Sequence, residues 1–156
     1  MGRKSLKDFD VEIFGISPEV LESLLRNFGN IHAVGKSFGV LKLKTSSAEY
    51  DFSLPRRESR TGKGHRGFMV TPDSTMSYRE AASRRDFTVN SIGYDLLTKT
   101  LLDPFDGLGD IKHKILRHVG PAFAEDPLRV LRAMQFSARL EFKIAPETVQ
   151  LCKTLD

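Results

Sequence analysis

Strict alternation of apolar and polar residues marks the first element of the chain. In DFDVEI, Phe9, Val11 and Ile13 fall on one side of an extended strand and Asp8, Asp10 and Glu12 on the other. A helix is predicted next: Ser17 suits the N-cap, Pro18 the first helical position and Gly29 the stop, with Leu21, Leu24, Leu25 and Phe28 as its apolar stripe. From Asn30 to Pro55 the pattern reads strand, turn, strand, turn, strand. Leu41 and Leu43 alternate there with Lys42 and Lys44, and Tyr50, Phe52 and Leu54 with Asp51 and Ser53. Residues 55–76, rich in glycine, proline and charge, predict a loop. A short helix over Tyr78–Ser83, a hairpin from NSIGYDLL and KTLLDPF, and a turn with a short helix in DGLGDIKHKILR follow. The last third predicts two helices, EDPLRVLRAMQFSARL and PETVQLCKTL, with Pro127 and Pro146 near their first turns and Leu128, Leu131 and Phe136 as packing residues. The sum is an α+β chain: a small mixed or antiparallel sheet with helices, followed by a helical segment.

Composition changes this picture little. With 156 residues, 40% hydrophobic and 28% charged, the chain has the make-up of an ordinary globular protein of one domain and the start of another. No apolar run approaches the ~20 residues of a membrane span, and no signal peptide is visible. The lone Cys152 excludes an intrachain disulfide and a cysteine metal cluster, so a cytoplasmic setting without membrane contact is expected. Charge says more. The net excess is only +4, but Arg56, Arg57, Arg60, Lys63 and Arg66 crowd one stretch and Arg84 and Arg85 follow. Such a concentration fits a phosphate-bearing partner as well as a solvated loop.

The acidic side of the first strand is the chemical anomaly, since like charges repel and strands are poor in aspartate. If this strand pairs with the one carrying Asp51, then Asp8, Asp10 and Asp51 converge on one face. That is a ligand set for one or two Mg²⁺ ions, which prefer hard oxygens and leave positions open for substrate phosphates. A D-x-D pattern alone equally describes the solvated face of a sheet. His32, His65, His113 and His118 have no metal-ligand spacing and read as surface or loop residues.

Four stretches in order resemble the bacterial-type tRNA nucleotidyltransferase/poly(A) polymerase family, the CCA-adding enzymes. DFDVEIFG resembles the metal-binding end of its first motif, RRDFTVN (Arg84 to Asn90) its second, DPFDGLGDIKHKILR its head-to-neck linker, and EDPLR (Glu125 to Arg129) its E-D-x-x-R neck motif. The resemblance implies a nucleotidyltransferase-type head over residues 1–120 and the start of a helical neck over 121–156. It implies Mg²⁺ at Asp8 and Asp10, with Asp51 as third carboxylate, and attack of a tRNA 3′-hydroxyl on the α-phosphate of CTP or ATP.

Nucleotide contact is implied for Arg84, Arg85, Asp86, Asn90, Glu125, Asp126, Arg129, Arg132 and Gln135. The arginine pair would grip the triphosphate. Asp86 and Asn90 fit either a ribose contact or a cap on the following turn. Asp126, Arg129 and Arg132, three residues apart on a helix, would present donors and acceptors to the base or form an i, i+3 ion pair. The family's first motif opens with a glycine pair and an R-D step, of which Gly2 and Arg3 represent the tail. Gln135 stands where its neck series has a third arginine. The expected molecule is therefore a head with partial neck, short at both ends and lacking a first strand or helix. Exposed core surface would favour a homo-oligomer or a complementing chain. Alternative readings are an A-adding or poly(A) polymerase relative, and a catalytically silent RNA-binding or assembly fragment.

Overall fold

The computed structural model describes residues 8–34, 40–45, 48–60 and 68–155. Gly2, Arg3 and His65, and the turns expected at 35–39 and 46–47, lie outside them. Contacts divide the chain into two compact units, Met1–Met76 and Ser77–Asp156.

In the first unit, β1 (Asp8–Glu12) leads through α1 (Pro18–Leu25) to β2 (Ile31–Val34), β3 (Val40–Lys44) and β4 (Glu49–Ser53). The sheet order is β1-β4-β3-β2. β1 runs parallel to β4, whereas β4–β3 and β3–β2 are antiparallel, so the sheet is mixed. A parallel pair needs a long crossover, and α1 with the β2–β3 hairpin supplies it. Ser17 caps α1 as its side chain accepts from the Val20 amide at 3.4 Å. Leu21 and Leu25 of that helix pack with Leu43 and Leu54, and Ile31, Leu41, Tyr50 and Phe52 close around them. Leu24 and Phe28 of the predicted stripe remain exposed. Phe9 and Tyr50 stack with ring centres 5.2 Å apart. One face of the sheet is thus apolar and covered, and the alternating residues form a second, polar face.

Residues 55–76 correct the expected loop. β5 (Arg56–Arg60) and β6 (Phe68–Pro72) pair antiparallel, Arg56 opposite Pro72 and Arg60 opposite Phe68. Asp73 ties their base: its carboxylate accepts from Arg57 at 2.6 Å and from the Thr75 amide at 3.0 Å and hydroxyl at 2.6 Å. These contacts, the Thr75 hydroxyl first, lower its pKa to about 2.

The second unit begins with α2 (Tyr78–Ala82), closed by a reciprocal Ser77–Glu80 capping box. A 3₁₀ turn, Thr88–Asn90, precedes the hairpin β7 (Gly93–Asp95) and β8 (Thr100–Leu102). Then come α3 (Gly107–His113), β9 (Ile115–Leu116), a 3₁₀ segment Pro121–Glu125, α4 (Leu128–Leu140), β10 (Lys143–Ile144) and α5 (Pro146–Cys152). Asp103 caps α3, accepting from the amides of Gly107 at 2.7 Å and Leu108 at 2.9 Å. A Cβ on Gly107 would fall 2.3 Å from the Thr88 carbonyl oxygen, so only glycine lets α3 seat against the 3₁₀ turn. Phe87, Leu116, Phe123 and Ala133 form the buried core, and Phe136 packs against it. Leu128 and Leu131 do not join it: they are 47% and 61% exposed. No described helix is long and apolar enough to cross a membrane.

Candidate active site

The polar face of the first sheet is set by register. Asp10 on β1 lies directly opposite Asp51 on β4, Asp51 opposite Lys42 on β3, and Lys42 opposite His32 on β2. Directly paired residues in a sheet project to the same side, so this row crosses one face. Asp10 and His32 are exposed, and Asp51 is half-buried. The Lys42 ammonium is 3.0 Å from Asp51 Oδ2. One row away, Lys44 is 2.9 Å from Glu49. The Lys42 pKa is raised, first by the hydrogen bond to Asp51, then by that carboxylate's charge, with Glu49 and Asp10 adding less. Asp8 starts β1 opposite Glu49, and the carboxylate expected from it lies outside the described side chains.

Neighbouring strands are about 4.8 Å apart, so Asp10 and Asp51 bring hard oxygens from two strands within reach of one ion. An ammonium already stands at one of them. This donor set fits an oxygen-preferring divalent cation. Among the described residues no group of three or more His, Cys, Asp or Glu gathers, so the described part of the set is this pair.

The arginine-rich turn and the neck residues belong to the second unit. There the carboxylate of Asp86, 6% exposed, is fully engaged. Its Oδ1 accepts from the Phe87 amide and from Asn90 Nδ2, both at 2.9 Å. Its Oδ2 accepts from Nε and Nη2 of Arg132, both at 2.7 Å. Asp86 and Asn90 bond to each other, and the 3₁₀ turn Thr88–Asn90 itself carries no side-chain cap. Arg85 Nη1 donates to the Asn90 carbonyl at 3.0 Å. Arg84 Nη2 lies 3.6 Å from Glu125 Oε2. Arg129 holds two carbonyls, those of Ala122 at 2.7 Å and Arg84 at 2.8 Å. Asp126 precedes α4 instead of lying on its face, and Oδ1 accepts from the Leu128 amide at 3.0 Å. Gln135 is exposed on α4, one turn beyond Arg132. Arg132 and Arg139 each stand 5.2 Å from the centre of the Phe136 ring. The turn and the start of α4 are thereby laced into one polar cluster over the aromatic core, where Phe87 meets Phe123 and Phe136 at 5.7 Å each.

Two parts of this framework escaped the sequence pattern. Asp110, 7% exposed, accepts from the Thr88 hydroxyl at 2.7 Å and from Arg117 Nε at 3.1 Å. His118, expected as a surface or loop residue, lies in the segment between β9 and the 3₁₀ segment but is half-buried: its backbone amide and Nδ1 meet the buried Thr148 hydroxyl at 3.0 and 2.8 Å. Burial, and then the charge of Arg117, lower its pKa. Neither pairing leaves a local signal, because the partners are far apart along the chain.

A small mixed sheet with helices, bearing apposed carboxylates on its open face, has the fold of a nucleotidyltransferase head. Residues 1–117 match the poly(A) polymerase head domain, and the chain belongs to that family. It is 44% identical over 151 residues to a multifunctional CCA protein of Xylella fastidiosa (strain 9a5c), covering 95% of this chain and 35% of that protein. A tRNA nucleotidyltransferase solved with a primer tRNA and an incoming ATP analog is 33% identical with a TM-score of 0.75, over 98% of this chain and 42% of that one. The Bacillus stearothermophilus CCA-adding enzyme, solved with CTP, is 32% identical with a TM-score of 0.71, over 91% and 33% of the two chains. The chain thus spans about a third of the length of the curated relatives it matches.

Proposed function

We propose that this chain is the head and first part of the neck of a Mg²⁺-dependent tRNA nucleotidyltransferase that adds CMP and AMP from CTP and ATP to the tRNA 3′ end. The head runs over residues 1–120 and the neck begins at 121. The carrying observation is the direct apposition of Asp10 and Asp51 on the polar face of the first sheet. Asp8, Asp10 and Asp51 would hold the metal. When bound, the ion lowers the pKa of the attacking hydroxyl and offsets charge growing on the phosphoryl oxygens.

The remaining work is positioning. Arg84 and Arg85 supply permanently charged forks for the triphosphate. Asp126, Arg129, Arg132 and Gln135 supply acceptors and donors for a base edge, and Glu125 steadies Arg84. A mismatched base would leave such groups unpaired at a cost of about 1–3 kcal/mol each. Because Arg129 and Arg132 are bonded to the protein itself, a nucleotide at this place must exchange contacts with Arg84, Ala122 and Asp86. Exposed Leu96, Leu97 and Leu101 on the β7–β8 hairpin and Leu131 and Met134 on α4 support a covering partner, either a second copy or a complementing chain. The lone Cys152 supports a cytoplasmic setting for this reaction.

The test is incorporation of labelled CMP and AMP into a tRNA ending before CCA, with Mg²⁺, beside the Asp8→Ala/Asp10→Ala variant. Incorporation by the parent chain and none by the variant is the expected outcome. No incorporation, with salt-sensitive tRNA binding retained, would replace the enzyme with a binding module.

A further inference from the structure

The acidic row of the first sheet contains a cation of its own. Asp10, Asp51 and Lys42 follow one another across β1, β4 and β3, and the strand order leaves Lys42 beside Asp51 but not beside Asp10. The ammonium touches Asp51 Oδ2 at 3.0 Å while the Lys42 side chain stays 45% exposed. Glu49, on the next row, pairs directly with Lys44, so each lysine has its own direct carboxylate partner. His32 flanks Lys42 on its far side.

We propose that Lys42 is a positioning residue: it compensates and orients Asp51 in the ion-free chain and competes with a divalent cation for that carboxylate. This rests on the metal reading above. Two carboxylates abreast on neighbouring strands repel, and Lys42 relieves one side of that repulsion. A dication arriving between Asp10 and Asp51 meets the ammonium already bonded there, so the two cations oppose each other across Asp51. Lysine suits the role because its charge sits on a flexible four-carbon stem that can swing off the oxygen while its backbone stays in the ladder. Arginine, with a rigid fork, would hold on.

Mn²⁺ is the probe, titrated into the full chain and followed by the loss of its free-ion paramagnetic resonance signal. Lys42→Met and Lys42→Gln are expected to bind Mn²⁺ several-fold more tightly than the parent. Arg26→Gln, an equal loss of charge at the end of α1, on the opposite side of the sheet, is expected to leave affinity unchanged. Without ion, Lys42→Met should melt below the parent and recover more than the parent does when Mn²⁺ is added. Circular dichroism establishes that each variant is folded. Equal or weaker Mn²⁺ binding in both Lys42 variants, with Asp10→Asn still abolishing it, would overturn the role of Lys42 and leave the metal reading standing. Binding unaffected by Asp10→Asn would overturn both.

Discussion

The two units use aspartate in opposite ways. In the first, Asp10 and Asp51 stand on an open sheet face, and the described ion pair there joins Asp51 to Lys42 on its far side from Asp10. In the second, Asp86 and Asp110 are sunk below 8% exposure, and their bonds to Arg132, Thr88 and Arg117 tie separate elements together. A carboxylate with spare, accessible lone pairs can take a ligand, whereas one saturated by protein donors holds a framework. On the function proposed above, burial alone would point away from the pair assigned to the metal.

Four experiments break or sharpen this contrast. Phe87→Ala removes the aromatic anchor beneath the Asp86 cluster and is expected to destabilise the second unit by about 4 kcal/mol in urea titration. Asp86→Ala leaves the Phe87 amide, Asn90 and Arg132 without their acceptor and should cost about 2–3 kcal/mol. A loss below about 0.5 kcal/mol would mean that Asp86 is not the framework residue described.

Acid should separate the units next. His118 is depressed below its ordinary value of 6.5, so the unfolded chain takes up that proton first. Stability of the second unit should therefore be complete above pH 6.5 and fall as pH drops through and below that value. Asp73, depressed from 3.8 to about 2, contributes stability that is present above pH 3.8 and lost as pH falls toward 2, so the first unit yields later. Amide chemical shifts followed against pH would report each unit separately. The smallest effect is expected from Asp51→Asn, which should change folding stability by no more than about 0.5 kcal/mol while removing incorporation.

Locally encoded features were legible in the sequence. Ser17 with Pro18 announced α1, Pro146 announced α5, and the alternation in Asp8–Glu12 gave both faces of β1. What depended on distant partners was not. The β5–β6 ladder hid inside a run of glycine, proline and charge, because its stability comes from pairing across the stretch and not from apolar alternation. The parallel run of β1 beside β4 has no hairpin turn to announce it. Leu128 and Leu131 fit a helical stripe, yet periodicity cannot say whether anything lies against it. Lys42 was legible as a polar-face residue, but its acceptor was not.

That parallel pairing carries a consequence for how the chain acquires its order. The β2–β3 and β3–β4 ladders join near neighbours in sequence, whereas β1 must close a much longer loop to reach β4, at a greater entropic penalty. β1 should therefore dock last and peel away first, its amides exchanging with deuterium ahead of those in β3. The carboxylate pair would then come into being only at that final zippering event.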